Sequence, residues 1–246
     1  MTARQALTST TTRRRFLTAA GLATATVTFA GTQEAMADDY GSGQLGPWQD
    51  LSRAISTEKQ INPVLANDGF FMFGDSIAVQ DGYALALRLQ DRTGDLIAVH
   101  NWSGRPTAPA VDALQQWAST YGLPRRIIMA TGSNDIFNPP AFGPQIARTM
   151  SIVGPNRTVF WVNTQAARTR VSESMRLADQ RNSAWVNLQL ADAQRTYPQL
   201  RIVRWAEFLA AKLSRLTAYL SDGVHTTVPL GQDARNELIV QAVEGT

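Results

Sequence analysis

Cysteine is absent from this 246-residue chain. Disulfides, thiolate metal sites and cysteine nucleophiles are therefore excluded. Histidine is nearly absent: only His100 and His225 occur, too few for a histidine-rich metal site. Lysine is scarce as well. Of 23 basic residues only Lys59 and Lys212 are lysine, a bias we read as one of base composition and not of function. Long apolar runs are missing. The weakly apolar stretch Thr18–Gly31 is shorter than the roughly 20 residues that a spanning helix needs. An excess of one charge is also missing once the first segment is set aside. Residues 1–37 carry four arginines and one acid, which leaves 19 basic and 19 acidic residues in the remaining chain. The high isoelectric point thus comes from the N-terminus, and the rest offers no electrostatic case for nucleic acid or an anionic membrane.

What the first segment does have is Thr12-Arg-Arg-Arg-Phe-Leu17, then the apolar stretch, then small residues ending in Ala35-Met-Ala37. A charged region, an apolar region and an A-x-A site form a secretory signal peptide. The Arg-Arg-x-Phe-Leu pattern resembles a twin-arginine signal. The expectation is a cleaved signal over 1–37, export through the twin-arginine machinery, and a secreted or cell-envelope location. Residues 38–66 read as an N-terminal segment, loose over 38–45 and helical around Pro47–Thr57, and residues 67–246 as one domain. A monomer is expected.

The remaining pattern alternates near-continuous apolar runs with longer periodic segments. Strands are expected at 70–73, 95–100, 126–130, 158–162 and 200–203. Helices are expected at 77–89, 107–121, 141–152, 172–197, 206–219 and 228–243. Such alternation argues for an α/β fold, a parallel sheet of about five strands covered on both faces. In such sheets ligands bind outside the carboxyl ends of the strands. The polar clusters Asp75-Ser76, Asn101–Gly104, Gly132–Asp135 and Asn163–Gln165 all fall at those ends. Trp161 and Trp185 fall on apolar faces and read as core. Arg125-Arg126 reads as a solvated loop edge.

Ser76 stands between a strand end and a helix start, where free N–H groups favour a developing anion. On this stretch alone a plain helix N-cap is the structural alternative. A serine nucleophile needs a base, an orienting group and oxyanion donors. His100, at a strand end, reads as a satisfied rim or core histidine. His225 follows Asp222 by three residues in Ser221-Asp-Gly-Val-His-Thr226, so one loop turn can carry both side chains with the carboxylate holding the imidazole. A metal-ligand pair or a plain surface loop has the same spacing, although a catalytic zinc normally wants three protein ligands. The Ser76 N–H, Gly104 N–H and the Asn134 amide can serve as oxyanion donors; a turn glycine and a turn or N-cap asparagine are the structural alternatives.

Taken in order, Gly74-Asp75-Ser76, Gly104, Gly132-Ser-Asn134-Asp135 and Asp222-Gly-Val-His225 resemble the four blocks of the SGNH (GDSL-type) hydrolases over residues 69–243. The resemblance implies a flavodoxin-like three-layer α/β/α fold without metal or organic cofactor. It also implies an acyl-enzyme mechanism: Ser76 attacks, His225 acts as base and then acid, Asp222 orients His225, and Ser76, Gly104 and Asn134 form the oxyanion hole. The segments Asn101-Trp-Ser-Gly-Arg-Pro-Thr107 and Asp135-Ile-Phe-Asn-Pro-Pro140 are similar to extracellular domains of cell-wall O-acetyltransferases. The expected substrate is a small-molecule or glycan acyl ester, with hydrolysis preferred for a free-standing domain. Acetyl transfer to an envelope sugar and catalytically silent glycan binding are the alternatives. Trp102, Arg105, Phe137, Gln165 and Arg168 come from rim loops and are candidates for the substrate pocket; loop packing is the alternative for Trp102 and Phe137. Ser103 has no helix directly after it and is not expected to be the nucleophile.

Overall fold

Five short apolar runs pair into one sheet. In the computed structural model, which describes residues 39–245, these are β2 (Phe70–Gly74), β3 (Ile97–Trp102), β4 (Arg126–Ala130), β5 (Thr158–Val162) and β6 (Leu200–Val203). All five run parallel, in the spatial order β3-β2-β4-β5-β6. A sixth strand, β1 (Arg53–Ile55), joins antiparallel on the outer edge of β3. The helices are α1 (Glu58–Ala66), α2 (Ser76–Thr93), α3 (Thr107–Tyr121), α4 (Phe142–Val153), α5 (Glu173–Thr196), α6 (Trp205–Ala210), α7 (Ser214–Tyr219) and α8 (Leu230–Glu244). The parallel order is that of flavodoxin-like folds, in which ligands sit where the strand order reverses. Here that place lies between β2 and β4. The targeting segment expected over residues 1–37 lies outside the described residues.

The strands are continuously apolar because both faces are covered. Successive side chains alternate faces. Phe71, Phe73, Ile127, Met129, Val159 and Trp161 join one core with α1, α3, α4 and α5. Phe70, Met72, Ile128, Ala130, Phe160 and Val162 join the other core with α2, α6 and α8. The result is three layers, α/β/α.

Several expectations need correction. Residues 47–57 are not helical. β1 forms there because the outer edge of β3 needs a backbone partner, and the helix starts only after Thr57, whose N–H is accepted by Gln60 Oε1 at 2.9 Å. The segment 206–219 is two helices. Arg215 donates to the Phe208 carbonyl at 2.6 Å and lies over the Phe208 ring, folding α7 back on α6. Trp161 is buried, but Trp185 is 39% exposed and meets Tyr40 edge-on. Arg125 is a largely exposed edge residue, whereas Arg126 pairs with Asp95 at 2.7 Å and covers Phe70. Within the stretch expected to be loose, Ser42 is buried against α5.

Residues 53–66 thus belong to the same fold as the rest. Ile61, 1% exposed, tests this. Ile61→Ala should destabilise the protein by about 2–5 kcal/mol, measured by urea denaturation. A loss under about 0.5 kcal/mol, the surface-residue range, would mean that α1 is only laid on the surface.

Candidate active site

The β2–α2 junction places Ser76. Gly74 ends the strand, and a Cβ there would lie 2.1 Å from the Ala78 Cβ, so only glycine lets the helix start so close to the strand. Asp75 is the N-cap and accepts the Ile77 N–H at 3.1 Å. It also accepts the Ser133 hydroxyl. Burial raises the Asp75 carboxyl, against the lowering by Ser133 and by the Arg235 charge. Asp75 takes the capping role, which leaves Ser76 at the first helical position with its hydroxyl free for other partners.

That hydroxyl meets His225 Nε2 at 2.9 Å. His225 Nδ1 meets Asp222 Oδ2 at 2.8 Å. The carboxylate can only accept, so Nδ1 carries the proton and Nε2 accepts from Ser76. Asp222 Oδ1 accepts the N–H groups of Val224 at 3.0 Å and His225 at 2.8 Å. Burial pushes the Asp222 carboxyl up, but the His225 N–H and imidazole and the Val224 N–H together hold it below the ordinary range. The acid therefore stays ionised opposite the imidazole.

The loop carrying this pair is held from two sides. A Cβ on Gly223 would lie 2.0 Å from the Ala167 carbonyl oxygen. The Ala167 N–H donates to the Gly223 carbonyl and the Thr169 N–H to the Asp222 carbonyl, both at 2.9 Å. On the other side Thr226 Oγ1 donates to buried Asp81 at 2.9 Å, and Gln80 Nε2 donates to the Thr226 carbonyl at 2.9 Å. Gln80 and Asp81 belong to α2, the helix that carries Ser76. These positioning residues escape sequence reading, although one signal exists: Asp81 interrupts the apolar face made by Ala78, Leu85 and Leu89.

β3 and β4 flank β2, so the loops after them flank Ser76. The first carries Gly104 and the second Asn134. Neither the Ser76 nor the Gly104 N–H donates to a protein acceptor among the described residues. Asn134 Nδ2 donates one hydrogen to the Arg105 carbonyl at 3.2 Å, which ties the two loops and leaves its second hydrogen available. Donors on both sides of a nucleophile can hold a developing oxyanion.

Arg105 is not a pocket residue. It is 1% exposed, donates through Nε to the Gly74 carbonyl at 2.9 Å, and reaches the His100 carbonyl and Nδ1. It braces the Gly104 turn against the end of β2. Burial lowers it to about 10, against the raising by Asp75. Burial and then the Arg105 charge lower His100 to about 4, so His100 stays neutral near pH 7 and is the satisfied histidine expected. Trp102 packs edge-on against Trp48, under Arg53, which is loop packing. Phe137 packs beside Ile77, Ile136, Ala166 and Val224, an apolar cluster whose Ile77 and Val224 directly follow Ser76 and precede His225 in the chain. Gln165 lines a groove of about 340 Å³ with Leu216, Leu220 and Gly223. Arg168 lines a smaller recess beside Asp222, but its guanidinium is held by Asp179 at 2.8 Å. Ser103 Oγ is engaged with Ser52 Oγ at 2.9 Å. Among the described residues no group of three or more His, Cys, Asp or Glu side chains is arranged to hold a metal ion.

No protein-family model and no curated protein matches the chain. Solved structures match its fold. The C-terminal catalytic domain of a peptidoglycan O-acetyltransferase from Streptococcus pneumoniae is similar at 17% identity and TM-score 0.55, over 72% of this chain and 91% of that one. A GDSL-like lipase from Bacteroides thetaiotaomicron is similar at 18% identity and TM-score 0.58, over 78% and 92%. A carbohydrate acetylesterase from Sinorhizobium meliloti is similar at 17% identity and TM-score 0.52, over 72% and 98%. The fold is thus that of SGNH/GDSL hydrolase structures.

Asp135 anchors the Asn134 loop to the start of α3: it accepts the Thr107 N–H at 3.0 Å and hydroxyl at 2.7 Å. Burial nevertheless raises its carboxyl to about 7. A carboxyl raised in the folded state favours folding fully only below its unfolded value, and this contribution is lost as pH rises through about 7. Asp135→Asn removes the titration. Its stability relative to wild type should therefore improve by about 1–3 kcal/mol from about pH 4 to pH 8, read from urea denaturation at several pH values. A pH-independent difference would show that Asp135 stays ionised throughout.

Proposed function

We propose that this chain is an exported serine esterase that cleaves a small acyl ester, most simply an acetyl ester. The observation that carries the reading is the continuous hydrogen-bond chain Ser76–His225–Asp222. Ser76 Oγ attacks the ester carbonyl carbon while its proton passes to His225 Nε2. The carbonyl oxygen becomes an oxyanion, held by the Ser76 and Gly104 N–H groups and by Asn134 Nδ2. The imidazolium, stabilised by Asp222, protonates the departing alkoxide and leaves an acyl-Ser76. A water molecule then attacks the acyl carbon and gives its proton to His225. The second tetrahedral intermediate releases the acid and returns the proton to Ser76.

A second reading keeps every step except the last acceptor: a sugar hydroxyl replaces water, and acetyl is transferred. The fold match to a peptidoglycan O-acetyltransferase domain and the Asn101-Trp-Ser-Gly segment favour it. The match to a carbohydrate acetylesterase favours a glycan ester under either reading. Export rests on the pattern in residues 1–37, and intact-mass analysis of the exported protein should show a chain beginning at Asp38.

Wild type should hydrolyse a chromogenic acetate ester and take a fluorophosphonate label. Ser76→Ala should lose the label and about 10⁵-fold or more in kcat/KM; His225→Ala should lose a similar amount in rate. Asp222→Asn should cost less, about 10²–10⁴-fold. Because the mechanism needs a neutral imidazole, activity should fall toward acid pH. Equal rates for wild type and Ser76→Ala would eliminate the serine mechanism. Mass spectrometry of products formed with an oligosaccharide acceptor separates hydrolysis from transfer.

A further inference from the structure

The segment Tyr40–Gly43 is packed into α5 in a way that reaches both loops of the site. Ser42 is 1% and Asn182 0% exposed. Asn182 Nδ2 donates to the Tyr40 carbonyl at 3.0 Å, to Ser42 Oγ at 2.9 Å and to the Ile136 carbonyl at 2.9 Å. Ile136 lies two residues after Asn134, in the short turn Asp135–Phe137. The Ser42 carbonyl accepts from the Arg168 guanidinium at 2.6 Å. The same guanidinium pairs with fully buried Asp179 and lies over the Phe137 ring. Arg168 sits between Ala167 and Thr169, whose N–H groups hold Gly223 and Asp222. One clasp therefore touches the support of the Asn134 loop through Asn182, and the support of the His225 loop through Arg168.

The clasp depends on glycine. Gly41 and Gly43 have φ values of +83° and +77°. A Cβ at Gly41 would lie 3.0 Å from the Ala178 Cβ, and one at Gly43 2.8 Å from the Met175 Cε. Side chains at both positions would be strained at positive φ; one at Gly41 would also be tight against the Ala178 Cβ of α5, whereas the Met175 tip facing Gly43 can move aside.

We propose that Tyr40–Gly43 is a positioning clasp, with Ser42, Asn182 and Arg168 as positioning residues that hold the oxyanion loop and the Asp222–His225 loop in register with Ser76. The physical basis is that Asn182 shares two hydrogens among three acceptors. Two of those belong to the clasp, so its loss frees the amide to turn away from Ile136. The same loss releases one of the acceptors that fix Arg168. Either release lets a catalytic loop drift relative to the nucleophile, and misplacement by about 1 Å can cost on the order of 10²-fold in rate.

The inference rests on the esterase reading only for its activity readout. The experiment uses the full chain carrying Gly41→Val together with Gly43→Val, which pushes the clasp off α5 and leaves every α5 side chain in place. Hydrogen exchange followed by mass spectrometry should show exchange about tenfold faster at 134–137 and 221–225, with the β2 and β4 amides unchanged. On a chromogenic acetate ester kcat should fall about tenfold with KM within about twofold. A folded double variant whose residues 40–43 exchange faster, while both loops exchange as in wild type, overturns the proposal. Should that variant not fold, Ser42→Ala decides. This substitution keeps the carbonyl that holds Arg168 and removes only the Oγ that accepts from Asn182, so a fall of about threefold in kcat with faster exchange at 134–137 supports the clasp, and wild-type behaviour in both readouts overturns it. A wild type that cleaves no ester would defeat the esterase reading alone, since the exchange measurement still reports on the clasp.

Discussion

The 2.9 Å bond between Ser76 Oγ and His225 Nε2 joins residues 149 positions apart, and the rest of the site is arranged to keep it. α2 is the common support. Its first residue is Ser76, and one turn later Gln80 and Asp81 grip Thr226, the neighbour of His225. Ser76 and the loop carrying His225 are therefore held on the same rigid body. A rigid helix transmits position better than a loop, because its backbone bonds hold each turn against the next. The weak partner in the pair is the loop, and it is tied at Thr226, at Gly223 and at Asp222.

Around that bond the protein buries several ionisable side chains. Asp75, Asp81, Asp135, Asp179, Arg105 and Arg235 are all at most 4% exposed. Each loses hydration, and each recovers it in part from fixed donors or an opposite charge. The partners are specific: Ser133 and Ile77 for Asp75, Thr107 for Asp135, Arg168 for Asp179, Gly74 and His100 for Arg105. The elements so joined are the loops after β2, β3, β4 and β5. Buried polar networks have narrow geometric tolerance, because a misaligned partner leaves a charge in low dielectric. Rim loops that would otherwise be mobile are held by that intolerance.

Much of the fold was legible in the chain. α3, β4, β5 and β6 fall on the residues that periodicity indicates, since strands buried on both faces and a helix ended by Gly122 leave plain local signals. β1 was not legible. Its three residues carry no apolar alternation, and it exists because β3 has an open edge. The break between α6 and α7 was not legible either, because it is made by Arg215 folding onto Phe208. In the site, Ser76, Asp222 and His225 could be named as candidates from type and spacing, and the resemblance to SGNH hydrolases implied their roles. Arg105 was misplaced, since an arginine in a rim loop looks the same in sequence whether it faces solvent or turns inward to the Gly74 carbonyl. Trp185 was misplaced for the converse reason: its helical position is apolar in pattern, but it lies toward the surface, 39% exposed with Tyr40 packed edge-on against it.

The sequence by itself determined the layered α/β architecture, the strand ends at which polar residues gather, and Ser76, His225 and Asp222 as candidates for proton-moving chemistry. These follow from local rules: side-chain periodicity, turn chemistry, and the small number of groups able to move a proton in a chain with two histidines. Only the tertiary structure decided which histidine meets Ser76, which donors flank it, and what holds them there. Those outcomes depend on contacts between segments far apart in the chain, such as Thr226 on α2 or Ser42 on α5. No local rule encodes them, because the energy that selects them is the desolvation of buried polar groups in one particular packing.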